Sequence, residues 1–227
     1  MILYIGIFVV IVAACVFISL MMMKKQKETA RKYEGEGGIA LASGIKDELL
    51  SQEFEELTKQ MNGAPIDAFT QCAYIATVGD KVASAAATAA KTVAWAAVGV
   101  KARYRERDNA SYLVLSNNEL HYLFFDDGEA RDHLVFDHET LLNARPAQIS
   151  GSEKVTRMGS VMGLKAKKMH LDVNGNGLDI IYYGAVQRMP DGIISPGSGM
   201  FETQSKLQLM GRFFLNRFYQ KYPQLQD

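Results

Sequence analysis

The side chains best equipped for chemistry in this chain are four histidines, His121, His133, His138 and His170, and two cysteines, Cys15 and Cys72. A zinc site wants closely spaced imidazoles and thiolates, usually with a CxxC pair. Neither pattern occurs, so the histidines read as isolated strand or surface residues. Cys72 has no basic neighbour to lower its thiol pKa and is a poor nucleophile. Asp172-Val173-Asn174-Gly175-Asn176-Gly177 imitates the start of an EF-hand loop. That loop needs a bidentate glutamate at its twelfth position, where Tyr183 stands. The flanks also read as strands, so a hairpin turn is expected and calcium is not. Gly197-Ser198-Gly199 lacks the preceding strand and the lysine of a phosphate loop, and no Walker, nucleophile-elbow or dinucleotide fingerprint occurs. Asp47, Glu48, Glu53, Glu55 and Glu56 could pair for acid–base work, but they fall on the solvent side of an amphipathic helix. The expectation is a chain without cofactor, metal or catalytic residues, and not an enzyme.

Charge offers a different chemistry. Lys and Arg number 25, as do Asp and Glu. That balance argues against a dedicated nucleic-acid binder. Locally it breaks down. Residues 119–139 hold seven acids and one base, whereas residues 153–170 hold one acid and five bases, Lys154, Arg157, Lys165, Lys167 and Lys168. Those five are the candidate binding residues, for anionic lipid headgroups or an acidic partner. Ordinary surface charge on two hairpins is the competing reading.

The element that would bring this patch to a membrane is the N-terminal run MILYIGIFVVIVAACVFISLMMM, residues 1–23, which carries no charge. At about 1.5 Å per residue it is long enough for a bilayer core of roughly 30 Å. Lys24, Lys25, Lys27, Arg31 and Lys32 follow at once. A single-pass anchor in the cell membrane is therefore expected, N-terminus outside and the rest cytoplasmic. A cleaved signal peptide lacks its basic n-region here. The lipobox-like Val12-Ala13-Ala14-Cys15 is followed by more apolar sequence where a mature lipoprotein turns polar.

Beyond the anchor, residues 24–43 read as a basic, glycine-jointed tether. Residues 44–107 read as helical: Ser43 as N-cap, then Ile45, Leu49, Leu50, Phe54, Leu57 and Met61 at helical spacing, stopped by Asn62-Gly63 and Pro65. An Ala-rich run from Cys72 to Val100 follows, with high helix propensity. Residues 82–100, with Lys91 as their single charge, are expected to pack as a helix. As a second span they would instead suggest a pore or transport-complex subunit. From Ala110 the period becomes two. Strands are expected at 112–115, 119–125, 130–136, 140–148, 153–160, 166–173 and 178–186, with turns at Ser116-Asn117-Asn118, Asp127-Gly128 and Asn174 to Gly177. A final helix near 200–221 presents Leu207, Met210, Phe213, Phe214 and Phe218, with Pro223 just past its end.

The opening hairpin YLVLSNNELHYLFF, Tyr112 to Phe125, is similar to that of bacterial pleckstrin-homology-like and GRAM-type domains. The segments Asp132 to Val135 and Leu141 to Ala144 resemble their next two strands. The likeness covers residues 108–222. It implies a seven-stranded antiparallel barrel capped by a C-terminal helix, which with the anchor and the Ala-rich helical segment makes an α+β chain. Many eukaryotic members carry a tryptophan in that helix; Phe213 or Phe214 takes the position here. The family consists of binding modules. A membrane-anchored, non-catalytic interaction or scaffold protein is expected, with a protein partner and, at the basic stretch, anionic lipid.

Overall fold

The computed structural model describes residues 2–73, 110–126, 128–150, 166–173, 175–187 and 198–226, with side chains for all of these except 2–14, 198 and 200. Three helices come first: α1 (Ile2–Lys32), α2 (Gly35–Gln52) and α3 (Glu55–Gln60). Strand β1 (Ala68–Cys72) follows, then β2 (Ala110–Ser116), β3 (Glu119–Asp126) and β4 (Glu129–Phe136). A short helix α4 (His138–Leu142) leads to β5 (Arg145–Pro146), β6 (Ala166–Val173), β7 (Asn176–Tyr183) and the long helix α5 (Ser198–Lys221), with a 3₁₀ turn at Pro223–Leu225.

The N-terminus differs from the expectation. Among the described residues no helix is long and apolar enough to cross a membrane. Helix α1 continues without a break through all five basic residues to Lys32. The expected anchor at 1–23 is thus not supported, nor is the single-pass cell-membrane placement that depended on it. The flexible tether is also replaced by helix. The chain breaks only at Tyr33–Glu34, where Gly35 takes φ +69°, a left-handed conformation that favours glycine. Gly38 then lies so close to the Tyr33 carbonyl that a Cβ would meet it at 2.1 Å.

The strands form one antiparallel sheet of order β4-β3-β2-β1-β7-β6-β5. It consists of two meanders, β1–β4 and β5–β7, joined where β1 meets β7. Among the described residues the joint includes Cys72 opposite Tyr182, the Ala73 amide donating to Ile181 O at 2.7 Å, and the buried Thr70 hydroxyl donating to Tyr183 O at 2.6 Å. Among the described residues β4 and β5 do not meet, so the sheet is open where a closed barrel was expected. Two strand expectations also fail. Ala68–Cys72, assigned to the helical segment, is a central strand. Most of 140–148 is not strand, because Asp137 caps α4 by accepting from the Thr140 amide at 2.8 Å. The Ala-rich 74–100, the possible span at 82–100 and the strand at 153–160 lie outside the described residues.

Register fixes the two faces. Phe69 opposes Val114, and Val114 opposes His121, so these share a face, joined by Gln71, Tyr112 and Leu123. Phe54, in the α2–α3 break, packs on that face, its ring 5.1 Å from Phe69 and 5.8 Å from Tyr112. The other face carries Thr70, Leu113, Leu115, Leu120, Tyr122 and Tyr182. There Tyr182 meets Phe214 at 6.4 Å and Phe218 at 6.0 Å. Leu207, Met210, Phe213, Phe214 and Phe218 are all buried, as the spacing predicts. Helix α5 approaches the chain closely at Gly211, where a Cβ would lie 2.2 Å from Ala185 N.

Candidate functional site

The expected basic patch divides. Lys154, Arg157 and Lys165 lie outside the described residues, and Lys167 and Lys168 sit on β6. Lys168 is engaged: its ammonium is 2.8 Å from Asp179 on β7, and its side chain is only 10% exposed. His170 pairs with the other oxygen of Asp179 at 2.7 Å. Burial pushes the Asp179 carboxyl up, but the hydrogen bonds from Lys168 and His170 outweigh it and hold the pKa below the ordinary carboxylate value. The Lys168 charge is thus balanced within the sheet.

His170 also lines an open cleft of about 630 Å³, with Asp137, Glu139, Thr140, Asn143, Arg145 and Asp172. Two of its three carboxylates serve the backbone. Asp137 caps α4, and Asp172 accepts from the Gly175 amide at 2.8 Å. The latter is the hairpin turn predicted in place of a calcium loop. No group of three His, Cys, Asp or Glu able to hold a metal occurs among the described residues.

The third constellation lies at the opposite end of the sheet, where two histidines that looked isolated in the sequence meet. His121 Nδ1 lies 2.9 Å from His133 Nε2, while His121 Nε2 faces the Glu119 carboxylate at 3.5 Å. Burial holds the His121 pKa below the ordinary value, with repulsion from a protonated His133 second; Glu119 pulls the other way. Burial alone lowers His133. The meeting depends on a β-bulge. Asp126 opposes Glu129, but after a shift between Phe124 and Phe125 the register makes Leu123 oppose His133. Unshifted, His133 would stand opposite Tyr122, on the other face.

Beyond this pair β4 is, among the described residues, the end of the sheet. Every residue from Glu129 to Val135 is exposed, including Leu134 at 42% and Val135 at 50%. The hairpin's acids cluster here, and Arg131 is held by Glu129 at 3.0 Å and Asp126 at 4.0 Å. The opposite edge is blunted: β5 has two residues, one of them Pro146, which has no N–H to offer a further strand. Comparison with known protein families, with characterised proteins and with solved structures returns no match.

Proposed function

We infer that this chain is a non-catalytic interaction module whose role is to hold a protein partner. The observation that carries this reading is the β4 edge, where every residue from Glu129 to Val135 is exposed, Leu134 and Val135 among them. The cleft at His170 favours binding over turnover. Three of its ionisable groups, Asp137, Asp172 and His170, are tied to capping, to a turn and to a cross-strand ion pair, and among the described residues none sits beside an activated nucleophile.

The test pairs two measurements on the full chain. Used as bait with crosslinking, it should retain a saturable partner at fixed stoichiometry, with crosslinks on the sheet. Incubated with a metabolite extract, it should convert nothing. A turnover that disappears in His170→Asn, the residue best placed for proton transfer, overturns the non-catalytic reading.

A further inference from the structure

Natural sheets protect their edges with short strands, proline, inward charges or bulges, because an open edge offers a row of unpaired amides and carbonyls to any extended chain. The β5 edge of this sheet follows that rule. The β4 edge follows it along half its length. The bulge opposite Phe124/Phe125 and the Glu129–Arg131 pair distort and charge its first half. From Asp132 to Phe136 the register with β3 is regular, and no lysine or proline intervenes.

The side chains there form a pattern. Asp132 and Leu134 share one face, opposite Phe124 and Tyr122. His133 and Val135 share the other, opposite Leu123 and His121. An added strand would therefore meet an acid or imidazole and then an apolar residue on each face. Leu134 and Val135, half exposed now, would gain apolar cover from it.

Charge decides which strand. On the described β3–β4 hairpin four acids, Glu119, Asp126, Glu129 and Asp132, stand against one base, Arg131, and that base is already paired. Two copies joined edge to edge would bring these acidic hairpins together across a strand spacing of about 4.8 Å, inside the screening length of about 8 Å. A basic strand meets attraction in the same place.

We propose that β4 accepts an extended, lysine- or arginine-bearing segment of a partner polypeptide as an eighth strand along its open edge. This rests on the interaction-module reading and names the surface and the chemistry of the partner.

The test uses two fluorescent peptides as probes on the full chain, one alternating lysine with valine and one alternating glutamate with valine. The lysine peptide should bind saturably, weaken as salt rises, and slow amide hydrogen exchange at residues 129–136. Leu134→Ser/Val135→Ser should weaken it about tenfold, with the melting temperature unchanged because both side chains are exposed. Asp132→Asn should weaken it at low salt only. Equal binding of the two peptides, no binding of either, or protection elsewhere overturns the proposal. So does self-association of the chain that L134S/V135S abolishes, which would make the occupant a second copy. If the bait experiment retains a partner while 129–136 stays unprotected, strand addition fails and the module reading survives. If no partner is retained at all, the module reading itself fails.

Discussion

His121 and His133 show what a single register step does to titration. Both imidazoles have pKa values below the ordinary histidine value, for which burial is the leading cause. In the unfolded chain each titrates near 6.5. Between the folded and unfolded values the unfolded state binds more protons, so stability rises with pH there. Their contribution is fully present above about 6.5 and is lost as pH falls through the folded values. The melting temperature should therefore fall between about pH 7.5 and 5. His133→Gln, which keeps a neutral hydrogen-bonding side chain, should flatten that fall. An equal fall in the variant would mean that the pair is not its source. Asp137 and Asp179, both held below the ordinary carboxylate value, add their own losses at more acid pH. Nothing in the sequence announced the pair. A two-residue turn at Asp127-Gly128 puts the two histidines on opposite faces, and only the bulge brings them together. The Asx turn at Asp172 was legible, because Asp and Gly at that spacing have a local job.

Among the elements, α5 and the β2–β3 hairpin could be read directly, since each has one dominant periodicity and a clear stop. Asn117 takes φ +52° in the first turn, Gly128 φ +78° in the second and Gly175 φ +81° in the third, all within the three predicted turns. Strand β1 was not legible. It has five residues, four of them buried, and so shows no alternation of apolar and polar residues. The Ala-rich sequence after it biased the reading toward helix. Helix α4 was missed because its cap, Asp137 to the Thr140 amide, competes with a strand-like apolar pattern. The packing of α5 yields a prediction. At Gly211 the neighbours of an added methyl are backbone atoms of Gly184 and Ala185, at 2.2–2.3 Å, and backbone cannot swing aside as a side chain can. Gly211→Ala should destabilise the chain by about 1–3 kcal/mol or more, despite alanine's better helix propensity. Urea denaturation measures this, and a stabilised variant would contradict the close approach.

At the scale of the whole molecule, the N-terminal helices and the sheet share one apolar core, from Tyr33 through Phe54 and Phe69 to Leu225. Polar contacts run along the same seam. Arg212 donates to Tyr33 O at 2.9 Å, and Lys206 reaches Glu48 at 2.8 Å. The hydrogen bond to Glu48 leads the causes that raise the Lys206 pKa. The C-terminus closes the other end. Tyr222 donates to Asn118 O at 2.9 Å, which leaves His138 Nδ1 to donate to the Tyr222 oxygen at 3.1 Å. Lys221 reaches Asn117 O, and Gln224 donates to Leu141 O. Phe54 is the piece that joins helices to sheet, at 1% exposure. Phe54→Ala should cost about 3–5 kcal/mol. Because the core is continuous, helical circular dichroism and tyrosine fluorescence should still report one coincident unfolding transition. Helices that melt first while the sheet persists would show two cores.

The joint between β1 and β7 also sets the order of events at the ribosome. Thr70 and its partner Tyr183 are 113 positions apart. When β1 to β4 have emerged they can pair at once, since β2, β3 and β4 are linked by tight hairpins. The far side of β1 must then wait for β7 and α5, which are synthesised later. Until they arrive, Ala68 to Cys72 shows newly made chains an apolar strand with open amides. A sheet completed by so distant a pairing folds slowly, and that interval is when the nascent chain is most exposed to aggregation and most dependent on a chaperone.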